Sequence, residues 1–194
     1  MDRPHEIIHP VEYYKNILFD GSSSLKKWLE ENSYGQYSIT GEVYGWYSSA
    51  LKEGDNAILL ITDIMSRFAE SHDLSLYDIE DKYDIDGDGN YWEPDGIIDH
   101  VIFVHAGNGA EYSGIHGNQI WSHHGMINLE VTDMNGKKFK IGEYSINSEF
   151  NPMGIFAHEY GHDLGLPDLY IPHDETVRVG SIGNWGDDGN WGMA

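Results

Sequence analysis

One run, His158-Glu159-Tyr160-Gly161-His162-Asp163-Leu164-Gly165-Leu166-Pro167-Asp168, restricts this chain more than anything else in it. Histidines four residues apart share one face of a helix, close enough to grip a single ion. Glu159 lies beside them, within reach of a water on that ion. Gly165 lets the chain turn off the helix and bring Asp168 round as a third ligand. A carboxylate is an acceptable zinc ligand, and three protein ligands leave one coordination position for water. His173 is the rival for the third place, against its plainer reading as a solvent-facing loop residue. The spacing predicts a zinc hydrolase in which Glu159 takes a proton from water and returns it to the leaving amine. Tyr170 is a candidate for holding the oxyanion, or simply a packed loop tyrosine.

The helix carrying this run reads as two-faced from Met153 to Leu164. Met153, Phe156, Ala157, Tyr160 and Leu164 fall on one side, with His158 and His162 opposite. Asn151 is placed to cap it and Pro152 to fit its first turn. A core helix presenting ligands into a cleft has this pattern.

A second motif is acidic. Asp84, Asp86 and Asp88 alternate, Gly89 stands sixth for a sharp turn, Asn90 offers a backbone carbonyl and Asp95 falls twelfth. That is the ligand order of a calcium loop, although a strand rather than a helix follows. The bland alternative is an acidic surface turn. Packed carboxylates repel one another, so the expected role of calcium is to stabilise the fold.

The chain has 33 acidic against 11 basic residues, a formal net charge of -22 over 194 residues. That balance argues against nucleic acid and anionic membrane surfaces as partners. No apolar run reaches the roughly 20 residues that span a bilayer, so no membrane insertion is expected. The absence of cysteine excludes disulfides and a cysteine nucleophile. No apolar signal region opens the sequence. With 40% hydrophobic residues the chain can bury a core of its own.

Helices are predicted at Val11–Phe19, Leu25–Glu31 and from an Asp55 cap to about Ser71, the last burying Ile58, Ile61, Met65 and Phe68. Strands are predicted at Gln36–Tyr47, Ile97–Val104, Ile120–Ser122, Ile127–Thr132 and Lys137–Asn147. Asn135-Gly136 marks a hairpin between the last two. His105, His116, His123 and His124 read individually as hydrogen-bonded loop or strand-end residues.

The zinc run, Ser33-Tyr34-Gly35, Ile39-Thr40-Gly41-Glu42-Val43, Asp84 to Asp99 with Asp99-His100-Val101, His105-Ala106-Gly107 and Ile120-Trp121-Ser122-His123 together resemble the immune inhibitor A family of secreted bacterial metallopeptidases. The likeness spans roughly Val11 to Met193. It implies an α+β zincin-like fold: a twisted mixed sheet packed on helices, with the active-site helix at the cleft floor. It implies one catalytic domain over 1–194, an N-terminal lobe of about 1–165 and a short C-terminal lobe of about 166–194 that reads as cut short. It also implies a secreted, calcium-stabilised zinc endopeptidase acting on proteins or peptides. Substrate backbone would add to an edge strand, for which Lys137–Asn147 is the candidate. Met193 would be the structural methionine beneath the ligating histidines, or else a tail residue. The sequence departs from the family in lacking a signal peptide and propeptide, in having Ile171 where an acid is common, and in stopping at Ala194.

Two rivals stand beside this reading. One is a calcium-stabilised, catalytically inactive binding module that keeps the zinc helix. The other is a cytosolic zinc hydrolase acting on a non-peptide amide.

Overall fold

The computed structural model describes residues 8–51, 56–113 and 119–168. Helix α1 (Val11–Lys15) runs into a π-helical turn at Asn16–Asp20, and α2 (Leu25–Asn32) follows, with the Ser24 hydroxyl accepting from the Lys27 N–H. Helix α3 (Ala57–Ala69) is capped by Asn56, and a 3₁₀ turn spans Leu74–Tyr77. Strands β1 (Ile97–Ile98) and β2 (Ile102–His105), a short α4 (Ala110–Ser113), and strands β3 (His123–Thr132) and β4 (Lys138–Ser148) lead to α5 (Met153–Asp163).

The sheet is mixed and β4 is its middle. On one side β1 and β2 run parallel to it, pairing Ile97 with Lys140 and Ile102 with Ser145. That is one constant offset, so β1 and β2 form a single interrupted row. The predicted strand at Ile97–Val104 is this row, broken at 99–101. On the other side β3 runs antiparallel, with an irregularity between Met126 and Leu129. The hairpin turn is held by Asp133 Oδ1, which accepts from the N–H groups of Asn135 and Lys137, while Gly136 supplies a φ of +80°.

Apolar residues leave the sheet on both faces. Ile61, Met65 and Ala69 of α3 pack with Ile98, Phe139, Ile141 and Ile146. Phe156, Ala157 and Tyr160 of α5 pack with Tyr14, Leu18, Leu25 and Leu29, while Ile102 and Val104 border that second cluster. The result is a sheet with α3 on one face and α1, α2 and α5 on the other, an α+β zincin-like arrangement. Among the described residues no helix is long and apolar enough to cross a membrane.

Several local expectations are corrected. Gln36–Tyr47 joins no ladder, because its backbone finds no strand neighbour among the described residues. Ile120–Ser122 is likewise outside the sheet, and β3 begins at His123. In α3 the stripe is shifted: Ile61 and Met65 are buried, but Ile58 is 41% exposed. Asp55 lies outside the described residues. The α5 cap is Pro152, not Asn151, whose fully buried amide lies 2.7 Å from Ser122 Oγ instead. Leu164, expected in the core, is exposed because the helix ends there. Finally, Lys138–Ser148 cannot accept a substrate strand, since both of its edges are already paired. The outer edge of β3 carries no strand among the described residues.

Candidate metal centre

Helix α5 is buried nearly all round. Ile155, Phe156, Ala157, Glu159, Tyr160, Gly161 and Asp163 are all inside, while the His158 and His162 side chains are 23% and 22% exposed. A helix held this way fixes its ligands through packing rather than through its ends. Tyr160 adds a polar tie, its hydroxyl 2.9 Å from that of Tyr37.

The helix terminates in a Schellman turn. The Leu166 N–H donates to the Gly161 carbonyl (2.9 Å) and the Gly165 N–H to that of His162 (2.8 Å), with Gly165 at φ +83°. The side chain of Leu166 covers Gly161, as the motif requires. This turn reverses the chain and returns Asp168 to the histidines. Its Oδ1 lies 3.3 Å from His158 Nε2 and 3.2 Å from His162 Nε2, and the two nitrogens are 3.2 Å apart. Tetrahedral zinc with ligands at about 2.0–2.1 Å sets its donor atoms roughly 3.3 Å apart. The three atoms therefore make a triangle of the size such an ion needs. His162 Nδ1 lies 2.8 Å from the Leu166 carbonyl, which fixes the proton on Nδ1 and turns the Nε2 lone pair toward the triangle. Burial, then the neighbouring His162, pushes the His158 imidazole below its usual pKa, which keeps it neutral and fit to ligate.

A carboxylate oxygen of Glu159 lies within 4.8 Å of ring nitrogens of His158 and His162. Burial raises its pKa to about 7, against the pull of His162 and of a hydrogen bond from the backbone of His124. A carboxyl so tuned can both take and give a proton near neutral pH.

Residues that the sequence assigned no role of their own surround this helix. Asp163, directly after the second histidine, is buried; its Oδ2 meets His100 Nδ1 in a short contact, and its Oδ1 lies 3.8 Å from Lys82 Nζ. Burial alone would raise the Asp163 carboxyl, but the His100 hydrogen bond and the charges of His100 and Lys82 outweigh it and lower its pKa. Lys82 also donates to the Asp163 carbonyl (2.5 Å) and to Glu143, which accepts from Tyr83 Oη at 2.8 Å as well. The one sequence sign of this network was an acid inside the motif helix, where a soluble face would have sufficed.

The acidic loop spends its oxygens on its own backbone. Asp84 Oδ1 accepts from the Gly89 N–H, Asp86 Oδ1 from Asp88 and Asp88 Oδ1 from Asn90. Two groups of carboxylates converge: Asp81 with Asp84 and Asp86, and Asp86 and Asp88 with Glu93. Asn90 joins the second through Nδ2, 2.9 Å from Glu93 Oε2. Asp95 stands outside both; its N–H donates to the buried Asp78 and its Oδ1 accepts from Ile97. Asp81 and Glu93 were not singled out from sequence; Asp81 stands three residues before Asp84, off the alternating spacing. Asp81 is 2% exposed and its Oδ1 has no hydrogen-bond partner.

Of the remaining candidates, His123 bonds the Trp121 carbonyl and the Tyr144 hydroxyl, as expected for a strand-end histidine. His105 is buried beside the Ala106 carbonyl. His116, Tyr170, His173 and Met193 lie outside the described residues.

The family model for the immune inhibitor A peptidase M6 catalytic domain matches residues 5–191. Immune inhibitor A of Bacillus thuringiensis subsp. alesti is 33% identical over 218 residues, covering 90% of this chain and 32% of that protein. The pre-pro-metalloprotease PrtV of Vibrio cholerae is 34% identical over 193 residues, covering 81% of this chain and 21% of its own length. An extracellular small neutral protease of Streptomyces caespitosus is 33% identical over 83 residues, 42% of this chain and 59% of that protein. The chain thus spans about a third or less of the first two relatives.

Proposed function

This chain belongs to the immune inhibitor A peptidase family, M6, and from that premise we propose that it is the catalytic domain of a secreted zinc endopeptidase. The observation that carries the proposal is the triangle of His158, His162 and Asp168 with buried Glu159 beside it. These three residues hold the zinc. When bound there, zinc polarises a carbonyl and lowers the pKa of water to about 7. Glu159 accepts the proton of the attacking water on a carboxylate oxygen and passes it to the departing amine. The His124 backbone N–H keeps that carboxylate oriented. Substrate backbone lies along the outer edge of β3, which carries no strand among the described residues and where main-chain pairing supplies affinity without demanding a sequence.

Calcium occupies the acidic loop as a structural ion, through Asp84, Asp86, Asp88 and Asn90 with Asp81 or Glu93 joining. Their convergence supports this, as does a buried Asp81 oxygen with no hydrogen bond. The chain acts as one domain, and its substrates are proteins and peptides. Its secretion is supported by the extracellular relative and by the calcium loop.

The test is Glu159→Gln on an unfolded protein substrate. Cleavage should fall by about 10²–10⁴-fold, the usual weight of a general base, while zinc content stays at that of the parent. A parent that binds no zinc, or a Glu159→Gln variant that cleaves at the parental rate, overturns the reading.

A further inference from the structure

Beside the triad lies a second convergence of ligating atoms. His124 of β3, Glu143 of β4 and Asp163 of α5 each offer one donor, and the three atoms lie within 4.8 Å of one another. His124 Nε2 is 3.7 Å from Asp163 Oδ1. Both atoms are buried and neither has a hydrogen-bond partner. Asp163 as a residue is only 5% exposed, so its oxygen is shielded from bulk solvent. A buried polar atom left unmet is destabilising, and two stand here face to face.

The Lys82 ammonium explains only part of this. It satisfies Glu143 and the Asp163 main-chain carbonyl but lies 3.8 Å from Asp163 Oδ1, and no hydrogen bond joins it to His124 Nε2. A cation with an affinity for nitrogen would satisfy all three side chains. His100 would stay on the other Asp163 oxygen, the outer contact that ligating carboxylates commonly keep.

We propose that His124, Glu143 and Asp163 form a second site for a divalent transition-metal ion, filled when the Lys82 ammonium swings out. One imidazole and two carboxylates suit zinc, whereas calcium would demand six or more oxygens. The Lys82 side chain is 33% exposed, so it has solvent to move into. Competition with that ammonium makes this site the weaker of the two. The rings of His124 and His162 are 6.2 Å apart, and the His124 backbone holds Glu159. Filling the site therefore acts on the machinery next door. The inference does not depend on the proposed peptidase chemistry, because its three ligands are not those of the triad.

Equilibrium dialysis of the whole chain against rising free zinc, read by elemental analysis, tests it. The parent should take up one more ion than His124→Gln or Glu143→Gln does. Lys82→Gln should take that ion at roughly tenfold lower free zinc, since a competing charge within 4 Å is gone. Circular dichroism on each variant separates lost ligands from lost fold, and the two ligand variants change different strands. Equal uptake by the parent and both ligand variants overturns the proposal, as does an unchanged affinity in Lys82→Gln. Failure of the first zinc site would show instead as a missing ion in all four proteins alike.

Discussion

The motif helix and the acidic loop both carry the sequence marks of a metal site, yet they are built in opposite ways. The triad atoms stand 3.2–3.3 Å apart on a helix whose other sides are buried. In the loop, Asp86, Asp88 and Asn90 are exposed, and their side chains are occupied with neighbouring N–H groups or with Glu93. The first site is shaped by the core beneath it. The second is shaped by local turns and carries unbalanced charge. Zinc should therefore be needed for chemistry and calcium for stability.

The largest effects should separate the two regions outright. Stripping zinc with a chelator that leaves calcium in place should abolish cleavage, while the far-ultraviolet circular dichroism spectrum is retained. A collapse of helical signal on zinc removal would show that the triangle needs its ion to form. Next, Phe156→Ala should cost about 3–5 kcal/mol in urea unfolding, because Phe156 is fully buried on the core side of the triad helix. Trp92→Ala in the loop should cost within about 0.5 kcal/mol, since Trp92 is 72% exposed. Comparable costs at the two positions would erase the contrast.

Calcium comes next in size. At a hundredfold excess over its dissociation constant, a folded-state ligand adds about 2.7 kcal/mol, and for a chain of this length each kcal/mol moves the melting temperature by about 2–4 °C. Asp81→Asn should remove most of that rise, because Asp81 is the buried anchor of one carboxylate group. Asp95→Asn should leave most of it, because Asp95 stands outside both groups. The reverse order would restore the twelfth-position ligand that the spacing suggests.

What was legible in the sequence follows the same division. His158, His162 and Asp168 could be placed because a helix and a glycine-ended turn are local geometries, each set by a few adjacent residues. The hairpin at Asn135-Gly136 was readable for the same reason. The central place of β4 was not, since it depends on pairing Lys140 with Ile97, forty-three residues away. Nor was the bond network of Asp163, where His100, Lys82, His124 and Glu143 arrive from four separate stretches of chain. In the acidic loop, spacing identified most of the converging groups but could not show that Asp78, earlier in the chain, accepts from the Asp95 N–H.

The smallest effect concerns the join between these regions. Asp99 follows β1 and accepts hydrogen bonds from the backbone N–H groups of Ile79 and Glu80, tying the stretch before the loop to the sheet. Burial raises its pKa to about 6 from an ordinary 3.8, more than those two hydrogen bonds offset. A carboxyl raised on folding is harder to ionise in the native state. Well below pH 3.8 it is protonated in both states and imposes no penalty. As pH rises toward 6 the unfolded chain ionises first, so stability is lost across that interval and stays lost above it. Asp99→Asn keeps an oxygen for one N–H and carries no charge. The melting temperature of the variant relative to the parent should therefore climb between pH 4 and 6 and then level off. A difference that stays flat over that range would mean the hydrogen bonds compensate the burial fully, and that the join, like the motif helix, is settled by packing alone.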